Sequence, residues 1–274
     1  MDGPAVAIIV PAQRDCALTG PRKVMLMIRP LLATAAFAMV AMTPACADGS
    51  KSPVTMERAE LETIIHEYIV THPEVIEEAI IALNARDKAD AAAAAREVIA
   101  KNKDALYNLD TDHFIGPADA PVTVVEFFDY RCGYCKRSMD YVQGLPAQYD
   151  NKVRVVFKEY PIFGGISEDA ALAALAAGNQ GKYNEMHKAL MGLKSNDELT
   201  DKKIDELATA AGIDVRKMRA DMKSTALKKQ LDEMQRLGHT LNLGGTPGFY
   251  IGDTAIEGAD QNGIEKAIEA ALKG

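Results

Sequence analysis

The sequence of 274 residues has no tryptophan, few other aromatic residues and no excess of basic side chains. Its formal net charge of −8 argues against a nucleic-acid-binding protein, which usually carries a basic patch. The aromatic fraction of 6% also leaves little material for stacking bases. Because the apolar and charged fractions are those of an ordinary globular protein, disorder along the whole chain is not expected.

The sequence near the amino terminus lacks an apolar run long enough for a transmembrane helix. Residues 31–42 are small and apolar, but about twelve residues are well short of the roughly twenty that span a bilayer. Three basic residues precede this run: Arg22, Lys23 and Arg29. Ala45-Cys46-Ala47 follows it and offers small residues to a signal peptidase. We therefore predict a signal peptide at 1–47, with a retained membrane anchor or a lipid-anchored Cys46 as alternatives.

Cysteine is also scarce, and its distribution is informative. Of the four cysteines, Cys16 and Cys46 lie in the predicted leader, so the exported chain would keep only Cys132 and Cys135. A secreted protein held together by disulfides would carry more cysteines at wider spacing. A single close pair in an oxidising compartment instead predicts redox chemistry.

The remaining pair follows a predicted buried strand, residues 122–128, which is rich in β-branched and aromatic side chains. Helical character begins at about Cys132 and extends to about residue 148. A helix N-terminus stabilises a thiolate, because its unpaired N–H groups and dipole favour negative charge. This arrangement predicts a nucleophilic Cys132, with Cys135 within reach to close a disulfide.

A close cysteine pair can also be half of a structural zinc site rather than a redox centre. Such a site needs two further ligands, and the predicted mature chain has no other cysteine. The histidines are scattered without paired spacing: His66, His72, His113, His187 and His239. We therefore expect neither a metal nor a cofactor.

Residues 48–104 are predicted to form a helical arm after a short polar linker. Apolar side chains recur at three- and four-residue spacing along two helices. The members of this stripe are Leu61, Ile64, Ile65, Tyr68, Ile69, Val75, Ile76, Ala79, Ile80 and Leu83. Two interpretations remain open: the stripe packs on its own domain, or it packs against copies of itself in an oligomer.

The rest of the chain predicts an α/β domain at residues 105–274. Residues 108–121 are predicted to be a loop, and residues 153–160 a second strand parallel to the first. A block at about 165–240 is helical throughout and is predicted to be an insertion. Two antiparallel strands around a Gly252-Asp253 turn and a closing helix at 261–272 complete the domain.

Two motifs carry a family resemblance. They are Glu-Phe-Phe-Asp-Tyr-Arg-Cys-Gly-Tyr-Cys-Lys at 126–136 and Gly-Gly-Thr-Pro-Gly-Phe at 244–249. With the order of elements, they resemble the DsbA family of periplasmic disulfide oxidoreductases, over roughly residues 105–274. The arm is similar to that of the ScsC-like branch, some members of which are trimeric isomerases. The resemblance implies a thioredoxin fold with an inserted helical domain.

The resemblance also implies roles for particular residues. Cys132 would be the nucleophile, Cys135 the resolving thiol and Glu126 a buried acid that assists proton transfer, with Lys158 on the neighbouring strand as its partner. The alternative is that both charged residues lie on the surface of an edge strand. Four further residues would face the substrate: Thr246, the cis-proline Pro247, Gly133 and Tyr134. Because Tyr134 replaces a histidine of DsbA and carries no positive charge, we expect a less oxidising couple.

The predicted function is thiol–disulfide exchange in the periplasm. The partners would be unfolded or wrongly disulfide-bonded exported proteins and a membrane redox protein, either DsbB-like or DsbD-like. The arm and Thr246 favour an isomerase or reductase, with trimerisation through the arm as an expectation. The alternatives are an oxidase of DsbA type, a non-enzymatic chaperone-like protein and a protein that binds copper(I) through its thiols.

Overall fold

The computed structural model describes residues 6–7, 55–107 and 110–273. They belong to two compact units, one ending at Ala82 and the other beginning at Leu83. Apart from Val6 and Ala7, the predicted leader lies outside the described residues. Within the described ranges, no helix combines the length and apolar character needed to cross a membrane.

The first unit contains most of the predicted helical arm. Strand β1 (Val6–Ala7) pairs antiparallel with β2 (Thr55–Met56), and helix α1 (Arg58–Thr71) follows. Helix α2 (Glu74–Lys101) begins immediately after Pro73 and crosses into the second unit. A proline is tolerated at such a helix start because it has no N–H to leave unpaired.

The apolar stripe of this arm is largely exposed in the single chain. No residue of α1 is buried, and the side chains of Ile64 and Ile80 are 47% and 53% exposed. The other large hydrophobic residues exposed on these helices are Ile65, Tyr68, Ile69, Val70, Ile76, Ile81 and Leu83. Leaving so many large apolar side chains in water is unfavourable for a monomeric arm.

The second unit contains a five-stranded mixed sheet. Its strands are β3 (His113–Ile115), β4 (Val122–Phe128), β5 (Val153–Glu159), β6 (Gly248–Ile251) and β7 (Thr254–Glu257). The spatial order is β3-β5-β4-β6-β7, in which only the β4–β5 pair is parallel. The predicted parallel pair and the predicted hairpin around Gly252 are therefore confirmed.

One strand was missed by the sequence analysis. Residues 108–121 were expected to be a loop, but β3 lies within them and pairs antiparallel with β5. A three-residue strand is too short to show the alternation on which strand prediction depends.

The helices of the second unit surround this sheet. Helix α3 (Lys103–Tyr107) follows α2, and α4 (Gly133–Gln148) connects β4 to β5. The helical block expected between β5 and β6 is present, formed by α5 (Ile166–Gly178), α6 (Tyr183–Met191), α7 (Asp201–Ala210), α8 (Val215–Asp221) and α9 (Thr225–Thr240). A single 3-10 turn, Asn196–Glu198, separates α6 from α7, and α10 (Gln261–Lys273) closes the chain.

The two faces of the sheet belong to separate hydrophobic cores. Val124 and Phe128 of β4 pack with α4 and the helical block, whereas Val125 and Phe127 pack with residues of α3 and α9. This division follows from the alternation of side chains along a strand. Residues 122–128 form a continuous apolar run because both faces of β4 are covered.

Candidate active site

The two cysteines lie at the start of α4. Cys132 is the residue before the first helical position, with an extended backbone, and its N–H donates to the carbonyl oxygen of Asp129 at 3.0 Å. The Cys132 thiol donates to the carbonyl oxygen of Thr246 at 3.1 Å. Both cysteines are free thiols and both are buried. The strand that precedes them and the helix that follows therefore hold the pair where the sequence predicted it.

The environment of Cys132 favours its thiolate. The hydrogen bond from the Cys135 thiol is the largest effect, and it lowers the pKa of Cys132 to about 5 against the opposing effect of burial. The Thr246 side chain and the N–H groups of Cys135 and Tyr134 lower it further. Because the thiolate is the nucleophile in disulfide exchange, Cys132 is suited to attack at neutral pH.

Cys135 has the opposite character. Burial, the hydrogen bond that it gives to Cys132 and the charge of Glu126 together raise the pKa of Cys135 far above that of an ordinary thiol. It therefore remains protonated while Cys132 is ionised. Attack by Cys135 requires a base that removes its proton.

Glu126 is an acidic side chain whose charge acts on Cys135 and which feels the charge of Cys132. The prediction that it faces inward is confirmed, since its side chain is buried on the same face of β4 as Val124 and Phe128. Burial and the charge on Cys132 raise the pKa of Glu126 to about 8. A carboxyl group with a pKa near neutrality can both accept and release a proton under ordinary conditions.

The predicted pairing of Lys158 with Glu126 is wrong. In the parallel register Glu126 lies opposite Phe157, while Lys158 lies opposite Phe127 and points to the other face of the sheet. There the Lys158 ammonium group contacts both carboxylate oxygens of Asp112, at 2.7 and 2.6 Å, and the carbonyl oxygen of Ala105 at 2.9 Å. These contacts tie β5 to α3 and to the segment before β3.

Thr246 and Pro247 approach the thiols from the loop before β6. The peptide bond between them is cis, as expected. Among the described residues, the buried Thr246 hydroxyl has no hydrogen-bond partner, so its proton is available to a thiolate at Cys132.

The two residues between the cysteines occupy the first turn of α4. Gly133 begins the helix, and the Tyr134 side chain is 61% exposed. The guanidinium group of Arg137 lies over the Tyr134 ring, 4.4 Å from its centre. Tyr134 therefore presents an aromatic ring at the surface beside the nucleophile.

Sequence reasoning missed the buried polar residues that support the turn before Cys132. The Asp129 carboxylate accepts hydrogen bonds from Arg131 N at 2.7 Å, Phe163 N at 3.1 Å and Ser167 Oγ at 2.8 Å. Its position between a buried strand and the cysteine pair was the available signal. The partners could not be foreseen, because two of them come from a distant part of the chain.

In the described ranges, no cluster of three or more histidine, cysteine or acidic side chains is arranged to hold a metal ion.

The fold and this pair of unlike thiols define a class, that of thioredoxin-fold proteins resembling thiol–disulfide oxidoreductases. Comparison with known proteins agrees: a thioredoxin family profile matches residues 108–270. The chain belongs to the thioredoxin family. A second profile, that of the copper resistance protein ScsC N-terminal domain, matches residues 57–90.

Solved structures similar to this chain include a thioredoxin-like oxidoreductase, an ScsC protein and a DsbA protein. A thioredoxin-like oxidoreductase from Silicibacter pomeroyi is 37% identical with a TM-score of 0.60, covering 63% of this chain and 99% of its own. A linker-deletion mutant of Proteus mirabilis ScsC is 28% identical with a TM-score of 0.58, and the match covers 80% of this chain and 97% of the mutant's chain. The thiol-disulfide exchange protein alpha-DsbA2 from Wolbachia pipientis is 29% identical with a TM-score of 0.59, and the match covers 65% of this chain and 97% of the alpha-DsbA2 chain.

Curated relatives differ in length from this chain. The first of them are Na(+)/H(+) antiporters NhaA 1 from Mycobacterium strains, which are 28% identical over 167 residues. The chain spans about a quarter of their length (27%).

Proposed function

We propose that this protein is exported to the periplasm, where it exchanges disulfides with other exported proteins through Cys132 and Cys135. The observation that carries the proposal is the contrast between the two thiols. One is held as a ready nucleophile, with a pKa of about 5, and the other is kept protonated beside Glu126. A structural cysteine pair has no need of this contrast.

The first step is attack by the Cys132 thiolate on a disulfide of the client protein. A bond forms between Cys132 Sγ and one client sulfur, the client S–S bond breaks, and the other client sulfur leaves as a thiolate. The Thr246 carbonyl and the exposed Tyr134 ring flank the nucleophile. We assign them to binding the client chain, through a backbone contact and an aromatic contact respectively.

The second step releases the client. Ionised Glu126 takes the proton of Cys135, and the resulting thiolate attacks Cys132 Sγ. A disulfide forms between the two cysteines, and the client leaves with its second sulfur as a thiolate. The client disulfide has gained two electrons, and the cysteine pair has lost them. The same steps in reverse would oxidise a client, so the geometry serves both directions.

The arm supports the isomerase or reductase direction. Its apolar stripe on α1 and the first part of α2 is exposed in the single chain. Such a stripe would be covered if the helices of several copies packed together. We assign this face to self-association, with a trimer as the expected assembly. Several active sites on one particle could hold a misfolded client through successive rounds of exchange. A monomeric oxidase of DsbA type is the alternative.

Alkylation trapping in cells tests the direction. A rapid acid quench, followed by labelling of free thiols, reports whether Cys132 and Cys135 are reduced or joined. The proposal expects a mostly reduced pair, kept so by a DsbD-like donor. A mostly oxidised pair would assign the protein to oxidase chemistry with a DsbB-like partner.

Light scattering on the full chain tests the arm. An assembly is expected for the wild-type protein and a monomer for I64K/I80K, whereas K217M, on a different helix, should leave the assembly intact. A wild-type monomer would remove the preference for isomerase or reductase.

A further inference from the structure

A buried polar cluster lies behind the active-site turn, and none of the steps above uses it. It consists of Glu159 at the end of β5, Tyr130 in the turn, and Tyr183 and His187 on α6; we call it the Glu159 cluster. Tyr130 and Tyr183 both donate to Glu159 Oε1, at 2.9 and 2.8 Å. The Tyr130 hydroxyl also lies 3.2 Å from His187 Nδ1. All four side chains are buried.

Burial favours the uncharged forms of Glu159 and His187. Burial raises the pKa of Glu159 well above its usual range and lowers the pKa of His187 to about 3. Glu159 Oε1 accepts both tyrosine hydroxyl protons, whereas Oε2 is buried without a hydrogen-bond partner among the described residues. Tyr130 donates its only hydroxyl proton to Glu159, so the proton of the second contact comes from His187 Nδ1.

Only one member of the cluster belongs to the active-site turn. Tyr130 stands two residues before Cys132 and directly after Asp129, whose carbonyl oxygen receives the Cys132 N–H. Its ring meets Phe128 edge to face, with 5.2 Å between centres, so the ring itself has a packed position. The hydroxyl adds a directional restraint that links the turn to the end of β5 and to α6.

We propose that Glu159 is a positioning residue for Cys132, acting through the Tyr130 hydroxyl to hold the turn in which the nucleophile stands. The N–H groups of Tyr134 and Cys135 favour the Cys132 thiolate only while they point at its sulfur. An anchor on the preceding turn fixes that direction. The inference rests on the proposed function, because it is the nucleophile of that reaction whose position is held.

The cluster provides its own matched control. Y130F and Y183F each remove one buried hydroxyl and one hydrogen bond to the same oxygen, Glu159 Oε1. Y130F also removes the contact with His187 Nδ1, so its cost in stability can differ from that of Y183F, but a purely structural role would move the Cys132 pKa in neither variant. Only Tyr130 lies in the turn, so only Y130F should alter the acidity of Cys132.

Two substitutions at position 159 distinguish whether the turn needs the whole carboxyl group or only the oxygen that accepts the hydroxyl protons. E159Q keeps an oxygen that can accept both hydroxyls and replaces Oε2 with an amide nitrogen. E159M has a similar length and has no oxygen. Retention of the Cys132 pKa in E159Q and its change in E159M would identify the accepting oxygen as the feature that positions the turn.

The experiment measures the rate of iodoacetamide reaction at Cys132 in the reduced full chain, from pH 3 to pH 9. Peptide mass spectrometry distinguishes Cys132 from the other cysteines, and circular dichroism checks folding. We expect Y130F and E159M to raise the Cys132 pKa by about one unit, a tenfold change in its thiolate-to-thiol ratio. Y183F and E159Q should leave it unchanged.

Equal shifts in Y130F and Y183F, or no shift in Y130F, would overturn the proposal. So would a shift in E159Q as large as that in E159M. If Y130F and E159M both failed to fold while Y183F folded, the hydroxyl would serve the fold rather than the turn, and the proposal would also be overturned. The assay needs no client protein, so its outcome is separate from that of the disulfide exchange assays.

Discussion

Glu126 and Lys158 lie on adjacent parallel strands and are both buried, yet they belong to different environments on opposite faces of one sheet. Lys158 meets Asp112 across 2.6 Å, with side-chain exposures of 0% and 4%. Glu126 faces the thiols, and its pKa is raised to about 8. Removing one partner of a buried ion pair destabilises the fold, whereas a buried acid beside a reactive thiol can take part in proton transfer.

The largest predicted effect is the loss of stability when the ion pair on the Lys158 face of the sheet is broken. K158M would break the buried ion pair between Lys158 and Asp112, and removing one partner of such a pair destabilises by about 3–5 kcal/mol. Exchange activity per folded molecule should be unaffected. Urea unfolding measures the difference, with K217M as the control, because the pair between Lys217 and Asp221 is partly exposed and contributes about 0–1 kcal/mol. Equal stabilities of K158M and K217M would contradict this account.

On the Glu126 face the expected effect is kinetic. E126Q cannot accept the Cys135 proton, so release of the client should slow by about 10²-fold, the lower end of general-base effects. Attack by Cys132 should change far less. Single-turnover measurements with a disulfide-bonded peptide separate the two steps, and E257Q, at an exposed position of β7, is the matched control. Equal slowing of both steps would show that Glu126 does not serve Cys135 specifically.

Glu126 was predicted to face inward because Val124 and Phe128, two residues away on either side, share its face of β4. The pairing with Lys158 could not be predicted, since it depends on the register between two strands. A shift of one residue reverses which side chains share a face, and neither strand encodes that offset by itself. The sequence pattern therefore predicted the orientation of Glu126 correctly and that of Lys158 incorrectly.

The smallest predicted effect is a change of the free energy of unfolding with pH. The folded state of the reduced protein keeps the Glu126 proton up to a pH of about 8, whereas the unfolded chain loses it near 4.5. Between these values the folded state binds more protons, so this contribution to stability falls as pH rises. Relative to E126Q, the wild-type protein should lose about 1 kcal/mol of unfolding free energy between pH 6 and pH 7. A pH-independent difference would contradict the raised pKa.

Strand, thiol pair, helical insertion and hairpin were all predictable because each has a local signature in composition or spacing. The Glu159 cluster was not, because Tyr130, Glu159 and Tyr183 meet only after the helical block has folded against the sheet. Nor could periodicity decide how the arm is used: it predicted the apolar stripe of α1 and α2 but not whether that stripe is covered.

Trapping of the mixed disulfide tests the central claim most directly. The C135S variant can carry out the first step but not the second, so incubation with a disulfide-bonded client should leave the client covalently attached at Cys132. The adduct should appear in mass spectra, disappear on reduction, and be absent from C132S. An adduct at another position, or none in C135S while C132S retains exchange activity, would contradict the assignment of Cys132 as the nucleophile.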